Sequence, residues 1–278
     1  METCIICKSQ IKKINNFVYK CTKCLFLKSD LQSGYGREIE GINDLRIQNF
    51  KKIIKVIKSL NKSDEIKILE IGSGSGIFLE ECKHENIDVL GTEADNEQIK
   101  NLKKRFRNVS QIKLPLEKVD SLDFGKFDYI VFNDVFEHLE KLDQVIQQLE
   151  YFLNDEGKIL INLPSSDGII YKFANILNKF GIRNFYNRLW QKGLSSPHLS
   201  YFNNNNLSWL FKNHNFELVY SNYLNTVSRY GNYKRLNSTI NNKIICMGLN
   251  FFIVIFFYIQ KILPKDIIFH IYQKKRQI

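Results

Sequence analysis

The sequence predicts an α/β fold: a mostly parallel sheet with helices on both faces, preceded by a small cysteine-framed module. Three observations predict it. Short apolar runs alternate with helical stretches between residues 66 and 163, the rhythm of a sheet buried on both faces. A glycine cluster, Gly72-Ser73-Gly74-Ser75-Gly76, follows the first of these runs and opens the next helix. Two Cys-x-x-Cys pairs stand within the first 24 residues.

The elements follow in order. Asp44–Leu60 carries Ile47, Phe50, Ile54 and Ile57 at helical steps, with lysines largely off that stripe, so it reads as a helix laid on the sheet. Ile66–Ile71 reads as a buried strand, Ile77–His84 as a helix, Asp88–Glu93 as a second strand and Asn96–Arg107 as a helix. Ser110–Leu114 is a third strand and Phe127–Asn133 a fourth. Leu142–Leu153 is helical, and Gly157–Leu163 is a fifth strand stopped by Pro164. Residues 164–203 are too long for an ordinary connection and read as a lid or substrate insertion. Asn203–Asn213 looks helical, Phe216–Tyr223 and Asp266–Gln273 look like strands, and residues 244–259 are almost continuously apolar.

Composition narrows the class. With 278 residues, 44% hydrophobic and 13% aromatic, the chain is globular and neither disordered nor fibrous. The formal charge of +11 is unevenly spread: residues 1–167 carry net −2, and residues 168–278 carry +13. The anionic partner implied by that charge therefore belongs to the C-terminal part. The N-terminus lacks the apolar stretch of a secretory signal, so the expected location is cytoplasmic.

In such a compartment Cys4-x-x-Cys7 and Cys21-x-x-Cys24 read as metal ligands before disulfides. Two such knuckles place four thiolates around a tetrahedral Zn²⁺. The expected unit is a zinc ribbon over residues 1–30, too small to fold without its metal. Lys8, Lys12, Lys13, Lys20 and Lys23 make it basic, which in most proteins is only a solvated face.

The glycine cluster does not match the dinucleotide fingerprint, because Ile77 or Leu79 stands where its third glycine belongs. Glu70, two residues before the first glycine, suits a ligand with positive charge better than a pyrophosphate. Glu93, at the next strand end, suits two ribose hydroxyls. Asp134, Glu137 and His138 follow the strand end at Asn133, and a helical turn there would present all three together. Such a trio could hold a cofactor, move a proton or bind a divalent metal; for His138 a structural role is as good a reading.

With ILEIGSGSG, GTEAD, FDYIVFNDVFEHLEK and EGKILINLP in this order, the chain resembles the class I S-adenosylmethionine-dependent methyltransferases. PHLSYF and HNFELVYS are similar to one large small-molecule subgroup, some members of which carry an N-terminal Cys4 zinc ribbon. The resemblance covers residues 1–223 and the last strand. It implies a Rossmann-like, seven-stranded, mostly parallel sheet within a methyltransferase domain over residues 44–278, with insertions at 164–203 and 224–264. It implies S-adenosylmethionine as cofactor beside the structural Zn²⁺. Gly72, Gly74 and Gly76 would wrap the methionine part, Glu70 would orient that loop, and Glu93 would hold the ribose. Ala94 and the segment Leu114–Glu117, Leu116 among them, would lie near the adenine, although the usual Gly-Asp or Ala-Asp opening is missing there. Asn133, Asp134 and His138 would line the amino-acid end.

Methyl transfer is an in-line displacement, so the protein's own task is to position an acceptor and remove a proton where one must leave. His198, Tyr201 and His138 are the candidate bases. The Asn/Asp-Pro-Pro-Tyr/Phe sequence of relatives that methylate amino groups is replaced by Asn133-Asp134-Val135-Phe136, which leaves hydroxyl, carbon or sugar acceptors. The expected acceptor is a small molecule, a sugar or a lipid-linked intermediate.

The apolar run 244–259 would span roughly 24 Å as a helix, short of the ~30 Å hydrocarbon core. A later strand in the same sheet also forbids a single crossing. An interfacial helix is favoured over a packed or dimer-forming one, because residues 229–278 hold nine basic and one acidic side chain; contact with an anionic membrane is then peripheral. Two alternatives remain: an RNA methyltransferase gripping phosphates with ribbon and basic half, although nucleic acid is not the expected partner, and a binding relative without catalysis.

Overall fold

The computed structural model describes residues 2–35, 43–61, 63, 65–116, 124–227, 232–237, 242–260 and 262–275. Three short strands open the chain: β1 (Ile11–Lys13), β2 (Val18–Cys21) and β3 (Leu27–Ser29). After α1 (Asn43–Leu60) come β4 (Lys67–Ile71), α2 (Ile77–His84), β5 (Asp88–Glu93), α3 (Asn96–Lys103) and β6 (Val109–Gln111). Next are β7 (Phe127–Asn133), a single 3-10 turn at Phe136–His138, α4 (Leu142–Tyr151) and β8 (Leu153–Pro164). The insertion holds α5 (Ile169–Lys179), α6 (Asn184–Leu189) and β9 (Ser200–Tyr201). The chain then forms α7 (Asn204–Asn213), β10 (Phe216–Leu224), α8 (Asn232–Asn237), α9 (Lys243–Ile259) and β11 (Ile267–Lys274).

The seven-stranded sheet runs β10-β11-β8-β7-β4-β5-β6, parallel except for β11, which lies antiparallel between β8 and β10. Alternation along its strands divides the core. Ile68, Tyr129, Val131 and Leu160 face α1 and α2, meeting Phe50, Ile54, Ile57 and Phe78. Leu69, Ile130, Phe132 and Ile159 face the other way, onto Val145, Ile146 and Leu149 of α4 and Leu207, Leu210 and Phe211 of α7. Both faces of the sheet are covered by helices, which is why the strands read as nearly continuous apolar runs.

Boundaries differ from expectation at three places. The helix after β5 ends at Lys103 instead of Arg107, and β6 covers Val109–Gln111 rather than Ser110–Leu114. β8 starts at Leu153, four residues before the expected Gly157, because the chain pairs with β7 as soon as α4 ends. The Asn203 cap of α7 is a full capping box, its side chain accepting from the Asn206 N–H and Asn206 returning a bond to the Asn203 N–H.

The cysteine module is joined to the larger domain. β3 pairs antiparallel with β9, so the insertion supplies the fourth strand of the ribbon sheet β1-β2-β3-β9. Asn206 on α7 donates to the Cys24 carbonyl at 3.1 Å, and Asn213 donates to the Ile6 carbonyl at 2.7 Å. Phe26 meets Phe202 at 5.1 Å between ring centres, and Phe202 in turn meets Phe136. Ile6, Cys4, Cys21 and Phe26 thereby belong to the same continuous core as the sheet.

α9 packs against α8, and of its side chains only Cys246 is buried. Ile244, Met247, Phe251 and Phe252 are each more than 60% exposed. Among the described residues no helix is long and apolar enough to cross a membrane, and β11, after α9, pairs with β8 in the sheet.

Candidate active site

The carboxyl ends of β4, β5 and β7 lie side by side, and each delivers residues to one cleft. Gly72, Gly74 and Gly76, between β4 and α2, all adopt left-handed backbone, with φ of 74°, 51° and 80°. Alternate glycines are needed because each turn of this loop uses a conformation that a side chain disfavours. At Gly72 a Cβ would also meet the Val135 side chain at 2.6 Å. The loop is tied to the sheet by the Ser73 N–H, which donates to the Thr92 carbonyl, while its hydroxyl is buried without a hydrogen-bond partner.

A line of buried polar groups crosses the strand ends. Asn162 of β8 donates to the Asn133 side-chain oxygen at 2.6 Å, and Asn133 donates to Glu70 at 2.8 Å. Thr92 closes it by donating to the Glu70 carbonyl. Glu70 is thus aimed into the cleft at the base of the glycine loop, next to Gly72, Ser73, Phe50 and Arg46. Arg46, on α1, was not foreseen from the sequence: it sits beside the apolar stripe of α1 and resembles the solvated basic residues around it.

Glu93, at the end of β5, is buried and accepts three backbone N–H groups, from Gly74 at 2.9 Å, Ala94 at 2.7 Å and Asp95 at 2.9 Å. Burial pushes its carboxyl above the usual range, and the Asp95, Gly74 and Ala94 N–H groups pull it back. In the structure Glu93 therefore latches the glycine loop to β5. Leu116 is fixed by Gln148 of α4, whose amide accepts from its N–H and donates to its carbonyl, both at 2.8 Å. Glu117, expected in the same segment, lies outside the described residues.

The segment after β7 departs from the helical turn expected there. Asp134 has left-handed backbone with φ 54°, and the 3-10 turn that follows sends Glu137 inward. Glu137 is buried while Asp134 and His138 are partly exposed, and His198 joins Glu137 and His138 in one cluster. The His138 and His198 rings lie 4.7 Å apart, and His198 Nε2 stands 4.0 Å from a Glu137 oxygen. Desolvation holds both imidazoles below their usual pKa, His198 far below with His138 adding to the effect. They are neutral near pH 7.

Tyr201, the third candidate base, is buried with its hydroxyl engaged. Its hydroxyl donates to the Leu189 carbonyl at 3.0 Å, and its ring packs between Trp190 and Tyr171 at 4.8 Å from each. Burial, with Glu137 nearby, drives its pKa far up, which leaves it no role as a proton acceptor near neutrality.

The cysteine cluster is compact. Cys4 and Cys24 sulfurs are 3.5 Å apart, Cys7 and Cys21 sulfurs 3.3 Å, and all four lie within 4.8 Å of one another. Tetrahedral thiolates at about 2.3 Å from Zn²⁺ stand about 3.8 Å apart, so this donor set fits that ion.

The chain is similar to known proteins in sequence and in fold. Residues 45–221 match the family model described as "Methyltransferase domain". A protein of Alkaliphilus oremlandii named "Uncharacterized methyltransferase" is 33% identical over 143 residues, 49% of this chain and 61% of that protein. A "Ubiquinone biosynthesis O-methyltransferase" of Pelagibacter ubique is 29% identical over 149 residues, 51% of this chain and 62% of that protein. The chain thus spans about three fifths of these curated relatives. A SAM-dependent methyltransferase from Archaeoglobus fulgidus shares the fold, with a TM-score of 0.52 at 19% identity over 84% of this chain and 94% of that one. Since the matched segment runs from α1 through β10 and takes in the glycine loop, Glu93 and the β7 mouth, the chain belongs to the methyltransferase domain family.

Proposed function

We propose that the chain transfers a methyl group from S-adenosylmethionine to a hydroxyl of a small-molecule, sugar or lipid-linked acceptor. The observation that carries this reading is the joint placement of three left-handed glycines, Glu93 and the Asn162–Asn133–Glu70 line at one mouth of the sheet. When bound, the cofactor supplies the activated methyl on a sulfonium centre. Everything else falls to this chain's residues. The glycine loop admits the ligand close to the backbone, and Glu70 offers negative charge for a cationic ligand. Glu93 accepts hydroxyls from the ribose, and Ala94 and Leu116 flank the base. The names of the O-methyltransferase relatives support a hydroxyl acceptor. His138, partly exposed at the mouth of β7, is the residue placed to meet that hydroxyl. Zn²⁺ on Cys4, Cys7, Cys21 and Cys24 serves structure.

The ribose assignment makes a direct prediction. Glu93→Ala is expected to weaken S-adenosylmethionine binding by about 10- to 100-fold in calorimetry, the range for losing hydrogen bonds to a charged group. Circular dichroism melting of Glu93→Gln alongside it controls for loss of the Gly74 latch. Wild-type affinity in Glu93→Ala would refute the assignment.

The lipid-linked acceptor is favoured by α9 and the insertion. Besides the exposed face of α9, Phe173, Phe180, Ile182 and Phe185 of the insertion are each more than half exposed. Lys243 opens α9, and Lys172, Lys179, Arg183 and Arg188 lie along the insertion. Apolar side chains flanked by cations suit the interface of an anionic bilayer. Replacing Phe251 and Phe252 with serine is expected to abolish co-sedimentation with phosphatidylglycerol-containing vesicles while leaving cofactor binding intact. Unchanged co-sedimentation would reject the membrane contact.

A further inference from the structure

We propose that Glu137, His138 and His198 form a second metal site, one for a divalent transition-metal ion, at the mouth of β7. Their ligand atoms lie within 4.8 Å of one another, so a single ion can reach all three. The site is separate from the cysteine cluster and chemically unlike it.

An unsatisfied carboxylate points to an occupant. Glu137 is 1% exposed, and neither carboxylate oxygen has a hydrogen-bond partner. His198, 6% exposed, stands beside it with Nε2 4.0 Å from a Glu137 oxygen. A buried carboxylate without donors is costly unless it takes up a proton or a cation. A cation held between this carboxylate and the two imidazoles satisfies the carboxylate.

The surrounding bonds hold the ligands ready. His138 Nδ1 lies 2.9 Å from the Pro197 carbonyl, which must accept its N–H and so leaves Nε2 with a free lone pair. Fixing the tautomer through a backbone carbonyl is how metal-bound imidazoles are commonly oriented. Glu137 is anchored through its own carbonyl, which accepts the Leu199 N–H at 2.9 Å. The His198 carbonyl accepts the Ser29 hydroxyl at 2.9 Å, so the ribbon itself positions this ligand. The Gln191 amide donates to His198 Nε2 at 2.9 Å, and it turns aside when that nitrogen takes the ion.

The donor set names the ion class. One carboxylate and two imidazoles suit Zn²⁺, Mn²⁺ or Fe²⁺ better than Mg²⁺ or Ca²⁺, which take mainly oxygen. Three protein ligands leave at least one coordination position open, and an oxygen ligand fits it. Under the methyltransferase reading that ligand is the acceptor hydroxyl, and this clause rests on that reading; the ion site does not.

The test uses the full chain with its ribbon zinc-loaded and Mn²⁺ as probe, since Mn²⁺ does not compete for thiolates. Electron paramagnetic resonance titration is expected to show one saturable Mn²⁺ site. Glu137→Gln and His198→Gln should each weaken it by at least about 10-fold, and His138→Asn by a similar factor. Melting curves of the three variants confirm that they fold. No saturable Mn²⁺ binding, or wild-type binding in a folded Glu137→Gln, would overturn the site. S-adenosylmethionine binding is measured in the same samples. Cofactor binding without Mn²⁺ binding sinks the ion site alone; Mn²⁺ binding without cofactor binding sinks the proposed function and leaves the ion site standing.

Discussion

Stripping the metal from the ribbon is expected to lower the melting temperature of the whole domain by about 10 °C or more. A structural zinc in a small module contributes about 10–16 kcal/mol of apparent binding free energy, and losing even about 4 kcal/mol of it produces that shift in a domain of this size. The effect reaches the domain because the ribbon has no core of its own. Cys4, Cys21, Ile6 and Phe26 share one core with Phe132, Phe136 and Phe202. Cys24→Ser should reproduce the chelator's effect. Calorimetry decides the point through the number of transitions: one cooperative transition, shifted downward, is expected. A small early transition followed by an unmoved main one would show that ribbon and domain unfold separately.

Gly72→Val is expected to reduce S-adenosylmethionine affinity by at least about 100-fold. A β-branched residue at φ 74° is strained by its own backbone, and its Cβ would stand 2.6 Å from Val135. Relief requires either the glycine loop or the turn beginning at Asp134 to move, and both line the cleft. Gly125→Val is the control. Gly125 has nearly the same φ, 73°, yet a Cβ there meets nothing within 4 Å. It should lose stability to backbone strain and keep its affinity. Equal affinity losses in the two variants would locate the effect in general destabilisation instead of in the cleft.

The central sheet was legible from the sequence because its information is local. β4, β5, β7 and β8 carry apolar runs, and Gly72, Gly74 and Gly76 mark a loop with three left-handed residues in five positions. The four cysteines announced themselves by spacing. What the sequence hid is held by contacts between distant segments. Nothing near Ser29 signals that it holds the His198 carbonyl across 169 positions. The Asp134–His138 segment reads as a helical turn, since its polar residues recur at three and four steps. The left-handed Asp134 and the 3-10 turn redirect Glu137 into the core, which only the packing of Phe136 against Phe132 and Phe202 accounts for. Tyr201 looked catalytic beside His198, yet its hydroxyl is committed to Leu189.

The placement of β11 between β8 and β10 has a consequence for how the chain is made. A ribosome releases β8 and β10 long before β11, so the nascent sheet must wait with the open flank of β8 unfilled. The ribbon waits too, because its fourth strand and its asparagine anchors emerge some 170 to 200 residues after its cysteines. Both closures are long-range, so folding is slow and late relative to synthesis. During that interval the apolar flank of β8 is exposed to other nascent chains, and chaperone demand during expression should fall once residue 274 is free of the tunnel.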